Sequence, residues 1–94
     1  MKGIWTARAR AELDEIADYL SAFGAATALD QVRRLRSAGR LLGEHPHKGR
    51  LGRVDESREL IVAGTPYILP YRVSDGRVEI LAVIHTSRLW PDDL

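Results

Sequence analysis

Seven residues in the second half of the chain are the best equipped for recognition or chemistry: Arg58, Tyr67, Tyr71, Arg72, His85, Arg88 and Trp90. His85 ends a β-like run, and an imidazole titrates close enough to neutrality to serve as general acid or base in phosphodiester cleavage. Its other reading is a polar strand end that hydrogen-bonds backbone. The guanidinium planes of Arg58, Arg72 and Arg88 bind phosphates or carboxylates bidentately if they converge at one sheet, and form surface ion pairs if they do not. Tyr67 and Tyr71, four apart on a strand, share a face. They are either a stacking platform for a base or a core edge with hydroxyls at its rim. His45-Pro46-His47 supplies at most two imidazoles, and the chain has no cysteine, so no metal-site pattern is present.

These side chains need a scaffold, and the apolar spacing describes one. Lys2 to Trp5 is β-compatible. Thr6 then stands as N-cap before a helix carrying Ala9, Leu13, Ile16, Leu20 and Phe23 on one stripe, with Gly24 as its stop. A second helix is expected over Ala25 to Leu42, with Ala25, Leu29, Val32, Leu35 and Leu42 on its stripe and Gly39 filling the remaining position. Glycine there costs about 1 kcal/mol of helix propensity against alanine, which points to another backbone packed close. Arg33, Arg34, Arg36 and Arg40 read as the solvated face of that helix.

Gly43 to Arg53 reads as loop with one short strand. Arg58 to Val62, Tyr67 to Val73 and Arg77 to His85 read as a three-stranded meander, because β-branched and aromatic runs are separated by Gly64-Thr65-Pro66 and Ser74-Asp75-Gly76. The last run is apolar on both faces near its middle, the pattern of an internal strand. Pro70 lacks a ladder donor and predicts a local bulge. Neither helix is long enough to stand alone in water, so both must lean on the sheet. The fold class is α+β: an N-terminal strand and an antiparallel helix hairpin packed on an antiparallel sheet, with residues 1–94 forming one domain. Leu13, Ile16, Leu20, Val32, Leu35, Ile80 and Ala82 are the expected core.

A chain of 94 residues builds one core, with stability near the low end of about 5–15 kcal/mol. Hydrophobic residues at 45% and charged ones at 29% describe a folded protein, not a disordered tail. No apolar run reaches the roughly 18 residues of a membrane span, and Met1 to Trp5 lacks a leader's apolar stretch, so a cytoplasmic location is expected. Fourteen lysines and arginines against thirteen carboxylates leave a net charge of +1, so no global field draws the chain to nucleic acid.

Several segments, in order, carry a resemblance. Trp5-Thr6 opens a helix containing Asp14-Glu15-Ile16-Ala17-Asp18-Tyr19-Leu20; Pro46 precedes Gly49-Arg50; Arg58-Glu59-Leu60 follows. Then come Pro66-Tyr67-Ile68-Leu69-Pro70-Tyr71-Arg72-Val73 and Val78-Glu79-Ile80-Leu81-Ala82-Val83-Ile84-His85, leading to Arg88 and Trp90-Pro91. Across essentially its whole length the chain resembles the RelE/ParE superfamily of toxins, closest to the ParE branch, with Pro70 standing where the family has an aliphatic residue.

The resemblance implies a type II toxin that inhibits DNA gyrase by binding, forms a hetero-oligomer with a ParD-like antitoxin, and uses neither cofactor nor direct nucleic-acid contact. It implies Arg58, Tyr67, Tyr71, Arg72, Arg88 and Trp90 as antitoxin- or target-binding residues. The alternative is a RelE-like ribosome-dependent messenger-RNA endonuclease using His85, Arg58 and Arg72; a third reading is an interaction module without toxicity. RelE-like nucleases carry a lysine and arginine cluster on the central strands, where this chain has Ile61 and Ile68. That difference, together with the closing His85-Thr86-Ser87-Arg88-Leu89-Trp90-Pro91, favours the ParE branch. The expected partner segment is an acidic amphipathic helix, with Arg58 and Arg72 contributing more to its binding than Arg34 or Arg36.

Overall fold

A computed structural model describes residues 1–94. In chain order it contains β1 (Lys2–Trp5), α1 (Ala7–Ser21), α2 (Ala25–Glu44), β2 (Arg50–Leu51), β3 (Arg58–Ile61), β4 (Tyr67–Ser74), β5 (Arg77–Ile80) and β6 (Ile84–His85). The strands form one sheet in the order β1-β5-β4-β3-β2, with β6 pairing β4 beyond β5. All pairings are antiparallel except that of β1 with β5. The sheet is therefore mixed, because the helix hairpin carries the chain from β1 to the far side of the molecule before the meander brings β5 back beside it.

Thr6 caps α1 as its sequence position requires: its Oγ1 accepts from the Ala9 N–H at 3.2 Å. Gly24, at φ 121°, turns the chain between the helices in a conformation other residues rarely adopt. Helix α2 runs two residues past its expected end at Leu42 and meets β1 through glycines. A Cβ on Gly39 would lie 2.8 Å from the Trp5 ring and 3.0 Å from Ile80 Cδ1, one on Gly43 would lie 2.7 Å from the Met1 carbonyl, and one on Gly3 would lie 2.7 Å from the Gly39 carbonyl. The close packing inferred from Gly39 is present.

The core lies between this hairpin and one face of the sheet. Ala9, Leu13, Leu35 and Leu42 pack against Leu60, Leu69, Tyr71, Val78 and Ile80. Of the expected core, Leu13, Leu35, Ile80 and Ala82 are buried, while Ile16, Leu20 and Val32 are half-buried. Phe23 and Leu29 lie on the predicted stripes but are 64% and 50% exposed. The reason is length: twenty helical residues span about 30 Å, whereas four-residue strands span about 13 Å, so the hairpin tip overhangs the sheet.

The last β run is not continuous, contrary to the single strand expected over Arg77 to His85. Tyr71 pairs with Ile80, but Ile68 pairs with Ile84, so Leu69 and Pro70 face three residues, Leu81, Ala82 and Val83. This is the bulge that Pro70 predicts, located on the partner of the proline-bearing strand. The Pro70 carbonyl still accepts from the Leu81 N–H at 2.8 Å, but proline has no N–H to return. Helix α1 and its cap supply the missing partners: Thr6 Oγ1 donates to the Leu81 carbonyl at 3.3 Å, and Glu12 Oε1 accepts from the Val83 N–H at 3.0 Å.

At the other end of β4, the fully buried Tyr71 fastens the loop after α2. Its hydroxyl donates to the Pro46 carbonyl at 2.7 Å and accepts from the Gly49 N–H at 2.9 Å. Arg58 Nη1 donates to the Gly49 carbonyl at 2.8 Å. A Cβ on Gly49 would stand 2.7 Å from the Tyr71 ring, which explains the glycine in the Pro46 to Arg50 segment.

Two outcomes follow for stability. Gly39→Ala should destabilise the chain by about 1–2 kcal/mol in chemical denaturation, because overpacking against Trp5 outweighs the roughly 1 kcal/mol gained in helix propensity; a stabilised variant would show that the contact is loose. Tyr71→Phe should cost about 1–3 kcal/mol by leaving the Pro46 carbonyl and Gly49 N–H unpaired, and amide exchange should rise first in residues 46–50.

Candidate functional site

The pairing register decides which of the expected site residues can act together. Arg58 faces Tyr71 across the ladder and so points to the helix side of the sheet. Arg72, one residue on from Tyr71, projects from the opposite face beside its cross-strand partner Glu79. His85 pairs with Tyr67, four residues and about 13 Å along β4 from the Arg58 position. Arg88 follows β6 at the same end as His85. The three arginines therefore do not converge, and His85, Arg58 and Arg72 are not gathered around one point.

Tyr67 and Tyr71 do share a face, but it is the face covered by the helices, and they are 6% and 0% exposed. They are core residues, Tyr71 with its hydroxyl tethered and Tyr67 with its ring against His85, so neither presents a ring for stacking. Burial raises the pKa of both hydroxyls. For Tyr67 the nearby Tyr19 adds to the rise and Arg88 opposes it; for Tyr71 the Gly49 hydrogen bond and the Arg58 charge oppose it.

What surrounds His85 is a groove of about 560 Å³ between α1 and the β4–β6 end of the sheet. Its walls include Glu12, Glu15, Tyr19, Tyr67, His85 and Arg88. The imidazole packs edge-on to Tyr67 at 5.5 Å between centroids, and its Nδ1 accepts from the Ser87 N–H at 3.1 Å and lies 2.8 Å from Ser87 Oγ. The ring thus orders the turn leading to Arg88. With two carboxylates and one arginine in its walls, this groove does not concentrate the cations that a cleaved phosphodiester needs. Tyr19 and Phe23, both exposed, stack edge-to-face at 5.4 Å near the groove mouth.

The face of the sheet away from the helices holds a second cluster, centred on the carboxylate of Glu59. This side chain is buried, and it accepts from the Arg53 N–H at 2.8 Å, from Arg50 Nη2 at 3.2 Å and from Arg53 Nε at 3.3 Å. Burial pushes its pKa up, but the Arg53 backbone bond and the two guanidinium groups outweigh that, and the net shift is down. The Arg53 guanidinium also lies 4.0 Å over the Trp90 ring, and Arg8 holds Asp93 at 2.9 Å, so the C-terminal segment is held at two points. Trp90 is thus engaged within the chain. Ile61 and Ile68 face one another on this side of the sheet, the former 52% exposed.

A third feature involves the α2 arginines that the sequence assigns to a solvated helix face. Residues 31–58 contain eight arginines and lysines against three carboxylates, a local excess of five positive charges within a chain of net +1. Between α2 and β3 lies a groove of about 520 Å³, to which this segment contributes Arg33, Arg34, Ala38, Leu41 and Lys48 and the following residues contribute Leu60 and Val62. The charge excess was visible in the sequence window by window; its apolar floor required the fold.

A model of the ParE toxin of type II toxin–antitoxin systems, parDE, matches residues 4–90. A Sinorhizobium fredii protein named as toxin Y4kP is 44% identical over 90 residues, covering 96% of this chain and 93% of its own length. Toxin RelE2 of Caulobacter vibrioides is 41% identical over 86 residues, covering 92% of this chain and 96% of its own. Among solved structures, a chain of a chromosomal ParDE toxin–antitoxin system from P. aeruginosa superposes with a TM-score of 0.82 at 28% identity, over 90% of this chain and 95% of that one. The hairpin, the meander and the tethered loop between them fall within the matched span, and on this agreement in sequence and in fold the chain belongs to the ParE toxin family of type II toxin–antitoxin systems.

Proposed function

We propose that the chain acts by binding DNA gyrase, not by cleaving RNA, and that a ParD-like antitoxin neutralises it. The observation carrying the first part is the separation of the alternative nuclease set: Arg58 and Arg72 lie on opposite faces of the sheet, and His85 sits at the other end of β4 beside Glu12 and Glu15. General acid-base catalysis on a phosphodiester needs the base and the charge-stabilising donors within hydrogen-bond reach of one reacting centre. The apolar Ile61 and Ile68 on the exposed side of the sheet add no cation to replace them.

The second part rests on the family and on size. A small domain with exposed Tyr19, Phe23, Leu29 and Ile61 has apolar surface that a partner can cover. Among the residues expected to bind, Arg72 and Arg88 retain exposed or half-exposed side chains, whereas Tyr71 is buried, Arg58 is bound to loop carbonyls, and Trp90 is half-buried under Arg53. Partner contacts are therefore assigned to two separate exposed positions, Arg72 on the face of the sheet away from the helices and Arg88 at the groove beside Tyr67 and His85, while Arg58, Tyr71 and Trp90 act as internal supports.

Two measurements test this. Purified protein should inhibit supercoiling by gyrase and leave messenger RNA intact on translating ribosomes; ribosome-dependent cleavage that vanishes with His85→Ala would reverse the assignment. A ParD-like antitoxin at about 1,000 times its Kd should add about 4 kcal/mol of apparent stability, a rise of roughly 15–30 °C in melting temperature for a domain of this size, and an unchanged melting temperature would remove the antitoxin.

A further inference from the structure

We propose that the groove between α1 and the β4–β6 end of the sheet receives an arginine side chain from a partner protein. That this partner is the toxin's target rests on the gyrase reading above; the site itself is argued from its walls. Tyr67 is 6% exposed, and no group of the chain bonds its hydroxyl, which has Tyr19 and Arg88 as titratable neighbours. No polar side-chain atom of the molecule is both sealed from solvent and unpartnered. The ring is therefore buried while the hydroxyl at its tip opens into this groove. A buried tyrosine ordinarily finds a hydrogen-bond partner for that tip, and Tyr71, on the same face of the same strand, finds two within the chain. The partner of Tyr67 has to come from outside.

The walls select the charge of what arrives. Glu12 uses Oε1 on the Val83 N–H at 3.0 Å, which fixes the carboxylate in place and leaves Oε2 for a ligand. Glu15 lines the groove one helical turn further on, and neither carboxylate belongs to a salt bridge. The Tyr19 ring, 64% exposed, is held edge-on by Phe23 at 5.4 Å. A guanidinium fits this set, because it donates to two carboxylates and a phenol oxygen from one plane while that plane lies against an aromatic face. Ile16 and Leu20 supply an apolar wall for the aliphatic stem.

Arg88 makes the sign of the site testable. It is the one cation in the walls and is not ion-paired. It opposes a cationic occupant, whereas it would be the anchor of an anionic one. Phosphate and carboxylate groups are disfavoured because two carboxylates face them against that single arginine.

The test titrates the intact chain with a short acetylated peptide carrying one arginine between glycines, beside a citrulline counterpart that keeps the shape and removes the charge. Backbone amide NMR signals of Glu12, Val83, His85 and Ser87 should shift with the arginine peptide alone. Tyr67→Phe keeps the buried ring and removes only the unpartnered hydroxyl, so it should leave the melting temperature unchanged and weaken binding about three- to tenfold. Glu12→Gln retains an acceptor for the Val83 N–H while removing the charge; combined with Glu15→Gln it should weaken binding about tenfold or more. Arg88→Gln should strengthen binding about two- to fivefold, and Arg36→Gln on α2 should change nothing. Equal shifts with both peptides, binding indifferent to Tyr67→Phe, or weakening by Arg88→Gln would overturn the proposal, the last by making the groove a site for anions. In supercoiling assays the Glu12→Gln, Glu15→Gln chain should inhibit gyrase about tenfold less than the parent, while a ParD-like antitoxin still raises its melting temperature. Equal inhibition by the two chains would overturn the assignment of the arginine to the target and leave the gyrase reading standing. A parent chain without effect on supercoiling would remove the gyrase reading, and the peptide titration would then decide the groove by itself.

Discussion

The seating of α2 on β1 is the constraint on which the remaining geometry depends. Gly3, Gly39 and Gly43 let helix backbone and strand backbone meet without intervening side chains, and Trp5 closes over the contact. That approach fixes the height of α2 above the sheet, and with it the depth at which Leu35 and Leu42 reach Tyr71, Val78 and Ile80. The loop after α2 then starts close enough to β4 for Tyr71 to hold both Pro46 and Gly49. Glycine is costly within a helix, so a pair of them four residues apart makes sense only where the backbone itself is the packing surface.

A second device compensates for Pro70. A proline in the middle strand of a sheet removes a donor where the ladder needs one, and the pairing slips by one residue around it. Thr6 and Glu12 then bond to the backbone groups of Leu81 and Val83 that the ladder leaves over. One threonine hydroxyl thus caps α1 and ties it to the bulge. The same slip separates β5 from β6, and after His85 the chain bearing Arg88 leaves the sheet at the end where the mixed-charge groove lies against α1.

Much of the fold was legible because it is written locally. Thr6, Gly24 and the stripe through Leu13, Leu35 and Leu42 specify caps and faces, and Pro70 specified a bulge. Phe23 and Leu29 misled because periodicity tells which face a residue occupies but not whether the sheet extends beneath it. The site was less legible for a different reason. Arg58 and Arg72 look equivalent in sequence, and only the register with Tyr71 and Glu79 assigns them to opposite faces. Glu59 gave no signal, since a glutamate in a strand is ordinarily solvated; its burial depends on Arg50 and Arg53, which a loop brings to it. Trp90 found a cation for the same reason.

The uneven placement of charge has a kinetic consequence. The positive excess is gathered on α2 and the segment after it, whereas α1 carries Glu12, Asp14, Glu15 and Asp18 against Arg8 and Arg10, so charge is distributed unevenly despite the small net value. An uneven charge distribution of this kind biases the orientation in which a body approaches an oppositely charged surface. This orientation acts over about 8 Å at physiological ionic strength and weakens as salt shortens that distance. Two chains with the same net charge but scattered arginines would meet such a surface at random angles and more slowly.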